Sequence, residues 1–224
     1  IVSMTIGTAM RLVRANLGYN NALNHTIILD RFDQVVDEME MGGKLPLPWF
    51  CFDDTHNPVT VAGDRSTQIA TNFLGLEEEW PISIQKTDGS WLVMEPGAYE
   101  DLVANTTETG EAADIPTHYA RIGDTLYLFP LPNAVWTLSV PCYRRTRYLS
   151  EYYDEEGPDY TPNWLKFFSN LIINKTTLRI MEAGRDMEGL ALFAPKVNMD
   201  EMAYLQKVEQ MRHMMRQYRV GNNA

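Results

Sequence analysis

The chain has 224 residues, of which 45% are hydrophobic and 22% are charged, an ordinary balance for a folded chain with a core of its own. Its 19 basic and 30 acidic residues give a formal net charge of −11. That charge argues against a protein that holds nucleic acid over its whole surface, because such binding depends on neutralising phosphates. No run approaches the roughly 18–20 apolar residues of a membrane helix, and the first ten residues do not resemble a secretory signal.

Two amphipathic helices are predicted at the start of the chain. In the first, apolar residues recur at steps of four, three and four: Ile6, Met10, Val13 and Leu17. The second is predicted in NHTIILDRFDQVVDEMEMGG, where an apolar face is followed by a pair of glycines that favour a helix end. Its acidic residues fall largely on the other faces: Asp33, Asp37, Glu38 and Glu40.

Helical spacing then gives way to short β-rich runs separated by turns. One hairpin is predicted in ISIQKTDGSWLVM, around Asp88-Gly89, and another in HYARIGDTLYLF, around Gly123-Asp124. A third strand is predicted in VWTLSVPCYRR. Between the first two regions we expect a short helical turn followed by a mobile loop.

The β-rich region is expected to close with an acidic, tyrosine-rich linker, EYYDEEGPDYTPN. A third long helix then opens at Pro162-Asn163 and ends at Gly184. After a short segment, Asn198 is expected to cap a final helix, with Glu201 three residues on as in a capping box.

The simplest assembly of these elements is an α+β fold. The N- and C-terminal helices form a bundle, and an antiparallel β domain is inserted between them. We expect the domain boundaries to give an N-terminal helical hairpin at 1–43, a β-rich insertion at 44–162, and C-terminal helices with a tail at 163–224.

The sequence gives no sign of a catalytic site. It lacks the GxSxG, HExxH, phosphate-loop and dinucleotide-binding strings, and its four histidines are scattered. Asp53, Asp54 and His56 offer metal-binding atoms, but the turn that follows favours an exposed loop. Cys51 and Cys142 form no zinc spacing and are expected to be buried free thiols, with a disulfide left open. We predict no catalytic residue, no cofactor and no metal site.

Two patterns point to contacts with other proteins. The basic cluster YRRTRY interleaves arginine with tyrosine, a composition found at protein interfaces and at single-stranded nucleic-acid sites. The negative net charge favours an interface, or pairing with the acidic linker, and we expect subunit contacts from five residues: Tyr143, Arg144, Arg145, Arg147 and Tyr148. The last helix carries more methionine than one face can bury, which suggests a partner there.

The order of these elements resembles the adaptor, or head–tail connector, proteins of tailed bacteriophages. The larger adaptors of short-tailed phages, in the tail tubular A group, are the nearest comparison. The likeness runs from TIGTAMRLVRANLG and the aromatic PLPWF through TVAGDRSTQIATNFLGLEEEWPI to HYARIGDTLYLFPLPNAVWTLSVPCYRRTRYLS. It continues after Asn163-Trp164 in the closing helices, and so covers nearly the whole chain.

This resemblance implies a virion structural protein and not an enzyme. Such a protein forms a ring, expected to have twelve copies, at the portal vertex or neck, between the portal protein and the next tail component (a nozzle or a tail tube). It would be assembled in the host cytoplasm, contact no membrane, and let packaged DNA pass without sequence-specific binding. The resemblance also implies that the end of the chain faces the portal: Met211, Met214, Met215, Tyr218, Arg219 and Val220.

Two other classes of function stay open at this point. A β-domain binding module for peptide or carbohydrate, in a tail or spike protein, would use Trp80, Trp91 and Trp136. Strand alternation, however, predicts that Trp91 and Trp136 are at least half buried. An enzyme with a dispersed site would depend on histidines brought together by the fold.

Overall fold

The structure is a computed structural model, and it describes residues 4–18, 23–43, 45–77, 80–109 and 114–222. The chain folds into two compact units. The helical unit consists of Ile1–Phe50 and Thr146–Ala224, and the β unit is the continuous stretch Cys51–Arg145. The predicted α+β class is confirmed, whereas the predicted domain boundaries after residues 43 and 162 stay a prediction.

Helices and strands are numbered in chain order. The helices are α1 (Ile6–Asn16), α2 (His25–Met41), α3 (Tyr99–Thr109), α4 (Leu149–Glu156), α5 (Asn163–Gly184) and α6 (Met187–Asn222). The strands are β1 (Phe52–Asp53), β2 (Ser66–Gln68), β3 (Phe73–Leu76), β4 (Ser83–Gln85), β5 (Trp91–Val93), β6 (Glu95–Pro96), β7 (His118–Ile122), β8 (Thr125–Phe129), β9 (Leu138–Ser139) and β10 (Cys142–Arg144). A 3-10 turn, Trp49–Cys51, precedes β1.

The first two helices form as predicted, because their apolar residues lie on one side and polar side chains cap their starts. The Thr5 hydroxyl accepts a hydrogen bond from the Thr8 N–H at 3.2 Å, and Asn24 caps α2 in the same way. Their buried faces share one apolar core with α5 and α6, in which the largest fully buried side chains are Trp164, Tyr204 and Phe32.

The central helix of the helical unit is α5, since α1, α2 and α6 all pack against it. At Phe168 its backbone leaves the helical region, with φ −136° and ψ 35°, so the helix is kinked there. The Lys207 Nζ of α6 donates to the Phe167 carbonyl at 3.1 Å, beside this kink. The Tyr204 ring also packs on Phe168, with ring centroids 4.7 Å apart, so α6 lies directly against the kinked turn.

The first part of the predicted acidic linker is a helix, α4, while residues 157–162 have no helix or strand and join α4 to α5. The first two N–H groups of α4, from Leu149 and Ser150, donate to the Asp33 Oδ1 of α2 at 2.7 and 3.2 Å. At its end, the Gly157 N–H donates to the Tyr153 carbonyl at 3.1 Å. A carboxylate from a distant part of the chain thus caps α4, together with the local Glu151, whose Oε2 accepts from the Tyr148 N–H at 3.3 Å.

The start of the final helix was also predicted wrongly. α6 begins at Met187 and runs 36 residues through Pro195, so Asn198 lies in its interior and caps nothing. The Asp186 side chain accepts from the Gly189 N–H at 2.9 Å and begins the helix instead.

A proline inside a helix removes one backbone hydrogen bond, which usually ends the helix. Here the flanking residues Phe193 and Val197 are both buried, and this tertiary packing holds the helix through Pro195. The segment before Asn198, expected to be an irregular link, is therefore part of the longest helix described.

The described residues of the β unit form three small sheets, with strand orders β1-β10-β3, β2-β8-β7-β6 and β5-β4-β9. Both predicted hairpins are confirmed: β4 pairs antiparallel with β5, and β7 with β8. Their turns need the left-handed conformation that glycine allows, and Gly89 and Gly123 have φ of 83° and 65°. Aliphatic side chains such as Ile84 and Leu128 form a second apolar core.

Two details of the β unit differ from prediction. The single strand expected in VWTLSVPCYRR is two short strands, β9 and β10, in different sheets, because Pro141 lies between them and has no N–H to donate. The predicted short helical turn is the 11-residue helix α3. Residues 110–113 of the loop predicted after it lie outside the described residues. Among the residues that the structure describes, no helix is both long and apolar enough to cross a bilayer.

Candidate functional site

Two of the three residues considered for a metal site, Asp53 and His56, already have partners within the fold. The Asp53 carboxylate accepts hydrogen bonds from Thr55 of its own turn and from Arg144, and the His56 ring is hydrogen-bonded to the Ile69 carbonyl. Partial burial, with the nearby Arg144 charge, lowers the pKa of His56. In the described part of the chain, no group of three or more His, Cys, Asp and Glu residues is arranged to hold a metal ion.

Both cysteines are buried, and neither forms a disulfide. Burial, with the negative charge of Asp53 as a second cause, raises the pKa of the Cys142 thiol to about 11. At neutral pH this residue is therefore a protonated thiol, which is the unreactive form. Its position in the β core indicates a packing role.

The structure divides the predicted basic cluster between the two units. The strand β10 ends at Arg144, so Arg145, Arg147 and Tyr148 lie beyond it. Tyr143 is only 7% exposed, and the Arg144 Nη1 donates to the Asp53 Oδ2 at 2.7 Å. Arg145 is the last residue of the β unit. A subunit contact through these residues stays a prediction.

Arg147 and Tyr148 belong to the helical unit. The Arg147 Nη2 lies 2.5 Å from the Glu155 Oε2 and its Nε lies 3.9 Å from the Glu151 Oε2, while its guanidinium lies 4.7 Å from the Tyr152 ring centroid. The sequence allowed either a protein interface or pairing with the acidic segment. For Arg147 the structure shows pairing with the acidic segment.

Along one side of α2, three acidic residues hold the stretch 146–150, where the chain returns from the β unit. We call Asp33, Asp37 and Glu40 the carboxylate row. Asp33 caps α4, and the Asp37 Oδ2 accepts a hydrogen bond from the Tyr148 hydroxyl at 3.3 Å. Burial raises the pKa of Asp33, although its hydrogen bonds from the Ser150 side chain and backbone act in the opposite direction. The sequence prediction had left these residues on the outer faces of the helix.

Glu40 is the most buried member of the carboxylate row, at 5% exposure. Its Oε1 accepts hydrogen bonds from the Thr146 hydroxyl at 2.5 Å and from the Trp164 Nε1–H at 3.0 Å. The Thr146 N–H lies 3.3 Å from both carboxylate oxygens. Since a buried carboxylate is costly without donors, this group specifies where the chain re-enters the helical unit.

Glu38, on a neighbouring side of α2, joins three helices. Its carboxylate lies 2.6 Å from the Arg179 guanidinium and 3.4 Å from the Lys175 Nζ of α5, and Lys175 also lies 2.8 Å from Glu201 of α6. The Lys175 side chain is only 9% exposed. Burial alone would raise the pKa of Glu38, but the hydrogen bond from Arg179 and the two positive charges lower it.

The outward side of α6 is apolar and exposed. Leu192, Met199 and Met202 are exposed by 61%, 72% and 64%, at steps of seven and three along the helix. Of the predicted portal-facing residues, Met214 is 59% exposed, while Met211 and Met215 are half-buried. The side chains of Tyr218, Arg219 and Val220 lie outside the described residues. The predicted excess of apolar surface on this helix is present.

An open groove of about 740 Å³ lies beside the second half of α6, with Pro46 among its lining residues. Its wall on α6 includes Gln206, Gln210 and His213, and the Tyr204 hydroxyl donates to the Pro46 carbonyl at 2.6 Å. Amide side chains suit hydrogen bonding to polypeptide better than binding of an apolar small molecule.

The tryptophans considered for a binding module have different surroundings, and Trp80 packs on Phe52 with ring centroids 5.1 Å apart. Trp91 pairs with Gln85 across the ladder and is 47% exposed, on the face opposite the buried Ile84. Trp136 packs instead on the β core, and its Nε1–H donates to Asn133 at 3.2 Å. A peptide or carbohydrate site that needs both rings together is therefore not supported.

One comparison with known proteins found a match. The model of the SU10 adaptor protein family matches residues 4–223, nearly the whole chain. No curated protein matches the sequence.

Proposed function

The chain belongs to the SU10 adaptor protein family, and from this membership we propose that it forms an adaptor ring that connects the portal to the tail and lines the DNA channel. Membership among phage adaptor proteins, predicted from the sequence, is confirmed; the closer likeness to the larger adaptors of short-tailed phages stays a prediction. The family is a structural one and not a known class of enzyme. The match over residues 4–223 is the observation that carries the proposal.

Charge supports a passage for DNA. The net charge of −11 repels phosphate, and repulsion from the wall of a channel keeps DNA from adhering to it. Packaged DNA would pass such a ring without sequence-specific contacts.

We place the portal contact at the end of α6. Met214 is exposed there, and the final twenty residues carry four basic residues and one acidic residue, against the acidic balance of the whole chain. The proposed portal-facing residues are Met211, Met214, Met215, Tyr218, Arg219 and Val220. The next tail component, a nozzle or a tail tube, is the proposed partner on the other side of the ring.

The proposed location is the virion, at the neck beneath the portal, after assembly in the host cytoplasm. A ring of twelve copies would make each subunit interface heterologous, since one patch meets a different patch on the next copy. We expect the isolated protein to stay monomeric and to close into a ring on the portal. A stable isolated dimer, measured by light scattering, would count against this.

Copy number in purified virions tests the proposed function. Quantitative mass spectrometry of the protein against the portal protein should give equal stoichiometry if the ring matches the portal subunit for subunit. A ratio far above or far below one would contradict the ring and point to a capsid, spike or tail-tip role. Absence from the virion would overturn the adaptor role for this chain.

A further inference from the structure

The second half of α6 is joined to the rest of the helical unit by side chains that donate to main-chain carbonyls. Tyr204 and Arg212 donate to two carbonyls of the segment 45–48, at 2.6 and 3.5 Å. Between these two residues, the Lys207 Nζ donates to the Phe167 carbonyl of α5 at 3.1 Å. Hydrogen bonds depend on direction as well as distance, so these contacts specify where the helix lies.

Lys207 contacts the turn at which α5 is kinked. Its ammonium nitrogen lies 5.4 Å from the centroid of the Phe167 ring and 5.3 Å from that of the Phe168 ring. Phe168 is the residue whose backbone leaves the helical region. A cation beside two aromatic rings and one carbonyl is held by several attractions at once. Lys207 therefore joins α6 to one particular turn of α5.

This contact lies where the apolar packing of α6 becomes weaker. Among the described residues of α6, the buried side chains are Phe193, Val197, Tyr204 and Val208. Farther along the helix, Met211 and Met215 are half-buried and Met214 is 59% exposed. Since less apolar surface is buried there, the polar contacts at residues 204–212 contribute more to holding this part of the helix.

We propose that Lys207 is a positioning residue for the portal contact, because it holds the last turns of α6 in place through the kinked turn of α5. The proposed portal-facing residues begin at Met211, about one turn beyond Lys207. The proposal rests on the proposed function, of which the portal contact is a part. A segment that must first be ordered binds its partner more weakly, since ordering costs conformational entropy. Loss of Lys207 therefore weakens assembly on the portal while the portal-facing residues themselves are unchanged.

Lys196 provides a matched control on the same helix. It is exposed, as Lys207 is, and its Nζ also lies over an aromatic ring, 4.3 Å from the Phe193 centroid. That ring belongs to α6 itself, so this contact does not join α6 to another helix. The two lysines thus share their charge, their exposure and a ring contact, and they differ in that Lys207 reaches across to α5.

Hydrogen exchange of the isolated protein, followed by mass spectrometry, tests the contact between α6 and α5. Lys207→Met should raise the exchange rate several-fold in peptides that cover 205–215, with little change in α1 or α2. Lys196→Met should leave those peptides at the rate of the original. Lys207→Arg keeps a cation that can donate to the carbonyl, and it should restore slow exchange. Unchanged exchange in Lys207→Met, or an equal rise in Lys196→Met, would overturn the proposal.

Competition for places in the virion tests the positioning role. Infected cells supply the original protein and also express one tagged variant, and quantitative mass spectrometry of purified virions measures the ratio of the two. For Lys207→Met this ratio should lie several-fold below that of the tagged original. Lys196→Met and Lys207→Arg should match the tagged original. An equal loss in Lys196→Met would mean that positive charge alone matters, and would overturn the positioning role.

The failure of the portal role and the failure of the positioning role give different results. If virions hold the original protein and Lys207→Met competes equally with it, the positioning role is wrong and the portal role stands. If virions lack the original protein, the portal role fails and the positioning role fails with it. Faster exchange in Lys207→Met would then mean that Lys207 stabilises the end of α6 without serving a portal contact.

Discussion

The helical unit and the β unit are built from the chain in different ways. The β unit is one continuous stretch, whereas the helical unit combines two stretches that are separated by the whole of the β unit. Among the described residues, the buried charged side chains, Glu40 and Lys175, both belong to the helical unit. In the β unit the buried polar residue described is Thr60, which is neutral.

This difference suggests what the buried charges do. Apolar packing favours burial without fixing which segment lies where, while a buried carboxylate is stable only with its own donors. The carboxylate row meets the chain at 146–150, where the second stretch of the helical unit begins. We infer that these polar contacts set the register between the two stretches. The continuous β unit has hairpin turns for the same purpose.

Trp164 offers the largest test, because it joins the helical core to the carboxylate row. Trp164→Ala should lower the free energy of unfolding by about 4 kcal/mol, through lost packing and through donors lost to Glu40. Trp164→Phe keeps most of the ring but removes the Nε1–H, and should cost about 1–2 kcal/mol. Urea denaturation followed by far-UV circular dichroism measures both. An equal loss in the two variants would mean that packing contributes little at this position.

Lys175 tests whether the helices α2, α5 and α6 depend on their shared ion pairs. Lys175→Ala should cost about 2 kcal/mol, because it leaves Glu38 and Glu201 without a nearly buried positive partner. Arg179→Ala removes a second cation that contacts Glu38, but its side chain is 44% exposed. That control should cost well under 1 kcal/mol. If Lys175→Ala and Arg179→Ala lowered the free energy of unfolding equally, burial of the ion pair would make no difference to its contribution.

The same question can be asked in the β unit at Thr60. Its hydroxyl donates to the Ala134 carbonyl at 3.0 Å and accepts from the Trp136 N–H at 2.9 Å. Thr60→Val keeps the shape but leaves both backbone groups without this partner, so we expect a loss of about 1.5 kcal/mol. Thr60→Ser keeps the hydroxyl and should cost less. Hydrogen exchange measured by mass spectrometry should show the loosening in peptides of the β unit and little change in α1 or α2.

Local spacing predicted the elements whose signals are local. The apolar steps of α1 and α2 mark their buried faces, and Asp88-Gly89 marks a hairpin turn, because each depends on residues a few positions apart. Family membership could also be predicted, because the order of helices and strands that resembles the family extends over most of the chain.

The prediction failed where the deciding partner is distant in sequence. The acceptor for the first two N–H groups of α4 is Asp33, more than a hundred residues earlier, so a stretch rich in acids looked like a linker. Pro195 looked like a helix break because nothing local shows that Phe193 and Val197 are buried on either side of it. One signal in the sequence was available: Arg147 and Glu151 stand four positions apart, as on a helix.

The smallest effect on the free energy of unfolding is expected at Asp33, and it is measured best as a function of pH. Asp33→Ala removes the acceptor for the first N–H groups of α4 and should cost about 1 kcal/mol, as for other lost caps. Asp33→Asn keeps an acceptor oxygen, so at neutral pH its stability should lie within about 0.5 kcal/mol of the original. The two variants together separate the hydrogen bonds of the cap from its charge.

The pH dependence follows from the sign of the shift at Asp33. Burial raises its pKa in the folded state above the ordinary value of 3.8, so the folded protein binds the proton more readily than the unfolded chain. Its contribution to stability is then greatest at low pH and is lost as the pH rises from 3.8 through the raised pKa. Glu38 acts oppositely, because its lowered pKa gives stability at pH values above the ordinary pKa of 4.5, and this stability is lost on acidification.

Asp33→Asn leaves Glu38 in place, so the difference in unfolding free energy between variant and original isolates Asp33. That difference should shift in favour of the variant as the pH rises through this window, and a shift in favour of the original would mean that the α4 hydrogen bonds outweigh burial.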